Sequence, residues 1–327
     1  VDVVVTSSRW QGNDAGGAGA IGGGVYFDGV ARVTMSDVRI QGNTARLEAG
    51  GIAAANAMSF VLARANLSNN QARFNNPSAL SVTNAGSIIL QDTLVQANLN
   101  VDDSLNLTHA GYAVRMIGNP GAVASVANTW IDQNLGCGLL LNVLEGYVSG
   151  TTISRNSCIH EGVALRVIGA NVNVSGSSII DNTGPFGAVR VAGSGARLVL
   201  ESSTVVGNQA TNPGEAGGVR LDEGALVLRS AILAENAGME GSFERLGAGA
   251  RIDASTSQFG DAPAEINGTS TGNLFQGTTN VGPLGDHGCA TAAGDSVVGP
   301  VQCVGMRPLS ANSPAIDQGQ SHGAAYD

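Results

Sequence analysis

Arginine is the residue whose placement could do chemistry in this chain. Aligning a short strand that recurs along the sequence puts Tyr26, Ala53, Ser81, Arg115, Leu140, Arg166, Arg190, Arg220 and Arg251 at one outward position. The chain has only 16 basic residues, so five arginines in six successive repeats are a marked concentration. Guanidinium forks match carboxylate and sulfate bidentately, and a linear row suits a linear polymer. Arg115, Arg166, Arg190, Arg220 and Arg251 are therefore candidate ligands for a uronate-containing or sulfated polysaccharide. The alternative is a solvated face on which they pair with Asp, Glu and turn carbonyls. Asp222 and Asp253, two residues after Arg220 and Arg251, are placed for that. Like charges about 5 Å apart repel, so a bare stack costs stability unless anions intervene.

Candidates for catalysis are fewer. The long insertion after Asn98 carries Asp102, Asp103 and His109 and is the one loop large enough to build a local site. The alternative is an ordinary excursion loop. A polysaccharide lyase needs a base beside a cation-neutralised carboxylate, usually an Arg or Lys near calcium held by several Asp residues. No Asp cluster recurs at the repeat interval: Asp132 and Asp181 are two repeats apart and offset by one residue. His160-Glu161 reads as surface hydrogen bonding. No metal site and no cofactor is expected, and no motif supports calcium. The H-E-x-x-H, P-loop and EF-hand patterns are all missing. Glycan-cleaving sites offer aromatic platforms and paired carboxylates, and aromatics make up only 4% of this chain.

Whole-chain charge narrows the partners. A net charge of −10 argues against general nucleic-acid binding, which needs a basic face. No apolar run approaches the roughly 20 residues of a membrane-spanning helix. The opening Val1-Asp2-Val3-Val4-Val5 reads as strand rather than signal peptide, so the expectation is a mature or truncated piece.

The elements that position these residues come from a repeat. The pattern Ser/Thr-x-apolar-x-x-Asn ends at Asn13, Asn43, Asn70, Asn98, Asn134, Asn156, Asn182, Asn208 and Asn236. Three residues before each Asn stands Trp10, Ile40, Leu67, Val95, Ile131, Ile153, Ile179, Val205 or Leu233, apolar every time. After each Asn comes a small, Gly-rich turn and a short strand, then a second turn and an alternating strand. Three strands and three turns make a unit of roughly 26 residues, too short for a propeller blade and without the helix period of ankyrin or leucine-rich repeats. One triangular coil of a parallel β-helix fits. About ten such coils stacked at roughly 4.8 Å would make a rod about 50 Å long. The expected fold is all-β, a right-handed parallel β-helix over residues 1 to about 255, with an irregular Gly-rich cap over 256–327 packed on the last coil. The Asn is expected to take left-handed geometry at a sharp turn and to stack its amide on those of neighbouring coils. The alternative is that some of these Asn residues are ligands. A flat Thr-x-Thr array of the ice-binding kind is not present.

Four cysteines allow three pairings. The repeat register brings Cys137 and Cys158 together, three and two residues after the Asn of consecutive coils, and leaves Cys289 with Cys303. Buried free thiols are the alternative. Neither pair has zinc or thioredoxin spacing.

The repeat resembles the pectate-lyase-like right-handed β-helix superfamily. The segment Pro308-Leu309-Ser310-Ala311-Asn312-Ser313-Pro314-Ala315-Ile316-Asp317-Gln318-Gly319 resembles the ending of large exported bacterial β-helix proteins that carry a separate anchor, and Val281-Gly282-Pro283-Leu284-Gly285-Asp286-His287-Gly288 is similar to the run preceding it. The resemblance implies export and display at the bacterial surface. It implies no particular reaction, since the fold hosts lyases, hydrolases, adhesins and passenger domains. Two functions follow as expectations. One is a structural or adhesive protein that binds acidic polysaccharide or neighbouring surface proteins. The other is a polysaccharide lyase or glycoside hydrolase.

Overall fold

Within each repeat, aliphatic residues alternate with polar ones, so one side of every short strand can be buried and the other left wet. A computed structural model describes residues 1–275 apart from 16, 18–20, 74–75, 102–110, 160–162, 239–242, 246–249, 261–265, 267 and 269, with the backbone alone at 243–245 and 274–275. Consecutive repeats pair in parallel, with register shifts at the corner between Thr83 and Ser87, and Ile153, Ile179, Val205 and Leu233 stand in one inward column. Leu139, Leu165, Val189 and Val219 form another. These residues are buried and belong to one continuous interior. A single coil could not bury them; its neighbours do.

The result is a parallel β-solenoid. The first and second strands of each coil share an 18-stranded sheet, because Leu80–Gln91 and Tyr112–Ala127 run through the corner between them. The third strands form an 11-stranded sheet. Eight turns carry all three strands at three residues or more, fewer than the ten or so expected. At the start the leading strand is missing, and at the end the strands shrink to two residues, as in Gln258–Phe259 and Leu274–Phe275. Parallel stacking continues through Leu274–Phe275. Residues 276–327, with Cys289 and Cys303, lie outside the described residues. Among the described residues no helix is long and apolar enough to cross a membrane.

The corners differ from expectation in one respect. No motif Asn has a positive φ; the residue before it does, as Gly12, Gly42, Asn69, Ala97, Gln133, Arg155, Asp181, Gly207 and Glu235. A second left-handed residue stands five positions earlier, for example Gly150 before Arg155 and Ser202 before Gly207. The third strand is thus held between two left-handed corners. The Gly-rich segment after the Asn also contains a short strand of its own in several coils, such as Thr44–Ala45, Gln71–Arg73 and Leu99–Val101. At Gly138 this segment passes so near the next coil that a Cβ would collide with the Ala164 carbonyl oxygen.

Candidate functional site

The asparagines form a column, and its hydrogen bonding is complete. Each Nδ2 donates to the Oδ1 of the Asn in the next coil, at 2.8 Å for Asn134 to Asn156, 3.0 Å for Asn156 to Asn182 and 2.9 Å for Asn182 to Asn208. The backbone N–H of each donates to the same oxygen. The other Nδ2 hydrogen goes back to the carbonyl of the apolar residue in the preceding coil, as from Asn182 to Ile153 at 2.9 Å and from Asn208 to Ile179 at 2.9 Å. The same pattern runs from Asn13 to Asn236. Every interior amide therefore uses two donors and accepts two bonds. None is left to hold an external ligand, which sets the ligand reading of these residues aside.

The arginines line the opposite kind of position, outward on the first strand. Strand register places Ser81, Arg115, Leu140, Arg166, Arg190 and Arg220 in one line. Arg251 does not join it. Arg220 pairs with Glu244, whereas Arg251 pairs with Ala225 on the second-strand ladder and binds Asp253 there. The strand Phe243–Arg245 occupies the first-strand place in that coil, so alignment by the Arg-x-Asp pattern shifts the register by one strand.

Arg190 and Arg220 are bridged by a carboxylate. Asp222 accepts from the Nε of Arg190 at 2.7 Å and from the Nε of Arg220 at 2.7 Å. Glu215 forms a second ion pair with Arg220. The Phe186 ring stacks against both guanidinium groups, with its centroid 4.7 Å from Arg190 Cζ and 4.5 Å from Arg220 Cζ. This is cation–π geometry in a partly desolvated place. Burial pushes the Asp222 carboxyl up, but hydrogen bonds from Arg220 and Arg190 outweigh it and hold the group below the usual carboxylate range. Burial likewise disfavours the Arg220 cation, and Glu215 and Asp222 raise it above its ordinary value. Further along the line Arg115 binds Glu48 Oε2 at 2.6 Å and Ser81 Oγ at 3.0 Å. Phe186, Glu215 and Glu48 escaped the sequence reading. Glu48 lies 67 residues before Arg115, and no local pattern joins them.

Leu140 interrupts the arginines, and the disulfide explains why. Cys137 and Cys158 are bonded, with Cα atoms 4.8 Å apart, and both are buried. With Tyr112 and Leu140 they form a small apolar cluster separate from the interior. Leu140 is thus covered on the outside of the sheet.

Asp132 is fully buried on the third-strand sheet, but not with Asp181. Arg155 grips it bidentately at 2.9 and 2.7 Å, and Ser154 Oγ donates to it at 2.7 Å. Among the described residues no group of three or more His, Cys, Asp or Glu could hold a metal ion. Asp102, Asp103, His109, His160 and Glu161 lie outside the described residues.

Compared with protein-family models, curated proteins and solved structures, the chain matches none. The Arg115–Arg220 line is a row of guanidinium groups interrupted at Leu140, in which Arg115, Arg190 and Arg220 are held by carboxylates and the last two also by the Phe186 ring.

Proposed function

We propose that this chain is the solenoid of an exported bacterial cell-surface protein with a structural or adhesive role, whose arginine line binds acidic polysaccharide without chemistry. The observation that carries this is the register of Arg166, Arg190 and Arg220 in consecutive coils. Such a row repeats a charged donor fork at roughly 4.8 Å, close to the length of one sugar unit. Glu48, Glu215 and Asp222 offset most of the local positive charge. Recognition then rests on directed donors and the Phe186 ring more than on net field. A guanidinium has five donors, and Arg190 gives Asp222 its Nε, so an Nη edge can face a ligand carboxylate or sulfate. The resemblance to exported β-helix proteins supports the location, as does a disulfide between coils, since such bonds persist in oxidising compartments.

The test is retention on immobilised polygalacturonate and sulfated glycan. Replacing Arg166, Arg190 and Arg220 with Gln should abolish retention while the far-ultraviolet spectrum stays that of a β-protein. Unchanged retention of the triple variant, or none by the parent chain, would discard the binding line. The same incubation, run with and without calcium and followed by unsaturated-uronate absorbance, tests for a lyase; product formation would replace the non-catalytic reading.

A further inference from the structure

Charge compensation is uneven over the faces of the rod. Arginines of the first-strand line and of the corners bind carboxylates, as Arg115 binds Glu48, Arg190 binds Asp222 and Arg64 binds Asp37. Arg9 and Arg39 do not. Both belong to the third-strand sheet, in direct register and one stacking step of roughly 4.8 Å apart. Ile40 is fully buried, so Arg39 and Gln41 on either side of it face outward. Arg9 and Gln11 match them in the first coil and are exposed.

No carboxylate among the described residues forms an ion pair with Arg9 or Arg39. Asp37, two residues before Arg39, is gripped bidentately by Arg64 at 2.7 Å through both its oxygens. Asp14 stands beyond the left-handed corner at Gly12. The Nε of Arg39 is buried and has no hydrogen-bond partner. Two like charges at this separation repel, and a buried donor without an acceptor adds to the cost. A chain of net charge −10 thus leaves one stacked pair of cations without an anion of its own.

Gln11 and Gln41 stand in register with each other, two residues further along the same strands and about 7 Å from the arginines. Asn66 and Ser68 continue the two columns in the next coil, both polar and uncharged. The wet face of these coils is therefore a set of donors with no acid among them.

We propose that Arg9 and Arg39, flanked by Gln11 and Gln41, bind a phosphate monoester group. Each guanidinium presents five N–H donors in a planar fork, and one tetrahedral oxyanion can accept from both forks at once. A dianion matches the two charges, whereas a uronate carboxylate carries one charge and occupies one fork. The net charge of −10 opposes approach to an anionic bilayer, so the ester is a soluble or glycan-borne one and not a lipid headgroup. This site lies on a different face from the Arg115–Arg220 line, and it stands whether or not that line binds polysaccharide.

Arginine Nε–Hε signals of the isotope-labelled full chain read the site residue by residue, with Arg9→Gln and Arg39→Gln supplying the assignments. The titration is run at about pH 7.5, above the second phosphate pKa near 6, and at constant ionic strength. Inorganic phosphate should shift both signals along one saturating curve, and glucose 6-phosphate should reproduce it. Either substitution should weaken binding about tenfold as read from the remaining arginine. Gln41→Glu keeps both arginines and supplies a carboxylate beside Arg39, so it should weaken binding to a similar degree. Shifts that chloride reproduces, or an Arg9 response indifferent to Arg39→Gln, overturn the site. A response to inorganic phosphate with none to the ester overturns it as well. A response confined to vesicles of phosphatidic acid in phosphatidylcholine would assign a lipid headgroup and also overturn the proposal.

Discussion

Asn182 shows how much one side chain can hold in this architecture. Its Oδ1 accepts from the backbone and side chain of Asn156, while its Nδ2 donates to Ile153 and Asn208. Alanine there leaves several buried groups unpaired at about 1–3 kcal/mol each, so a loss of about 3 kcal/mol is expected in denaturant unfolding. Asn13, exposed in the first described coil, donates to Asn43, and no other Asn among the described residues donates to it. Asn13→Ala should cost under about 1 kcal/mol, and equal losses at the two positions would contradict the column. Asp222 carries a pH signature. Its carboxyl ionises more readily folded than unfolded, so the stability it contributes is present above about pH 4, the unfolded value, and disappears as pH falls through the lower folded value. The melting-temperature gap between the parent and Asp222→Asn should therefore be wide at pH 6 and narrow progressively as pH falls below about 4. A gap that does not change with pH would show that Arg190 and Arg220 do not lean on this carboxylate.

At the scale of the element, the third strand was legible because one residue does two jobs. Ile153 fills the interior with its side chain and gives its carbonyl to Asn182 in the next coil, so the apolar-x-x-Asn spacing cannot drift. The left-handed corner beside it was not legible. Its nine occupants include Gly, Ala, Gln, Arg, Asp and Glu, because the demand is on the backbone and the side chain points into solvent or a local ion pair. A turn requirement with no shared residue type leaves no pattern, and the Asn next to it is easily given the credit. The Cys137–Cys158 bond is readable from the same register, since it crosses one stacking step between residues three and two positions after Asn134 and Asn156. It closes a loop with a sequence separation of 21, worth about 3 kcal/mol in the chain-entropy estimate. Cys137→Ser with Cys158→Ser should lower the unfolding free energy by about that amount. A loss near zero would mean that stacking alone fixes these two coils.

For the whole molecule, the solenoid followed from periodicity, whereas the surface did not. Inward columns repeat at every coil, so nine Asn motifs set the register of everything between them. Outward positions carry no such constraint. Arg251 stands on the second-strand ladder although it precedes Asp253 as Arg220 precedes Asp222, and both pairs bind each other, one strand apart in the coil. Glu48 and Arg115 meet only after the chain has wound through two further coils, a contact that belongs to the assembled rod. All of it depends on coil number translating into distance along one axis. Spin labels at outward second-strand sites test this most directly: Thr34 paired in turn with Ser125, Asn173 and Val227, which lie three, five and seven stacking steps away. Pulsed dipolar distances should climb in even steps, near ~14, ~24 and ~34 Å at roughly 4.8 Å per coil. Distances that fail to rise with coil number would contradict the stacked solenoid, and with it the arginine line.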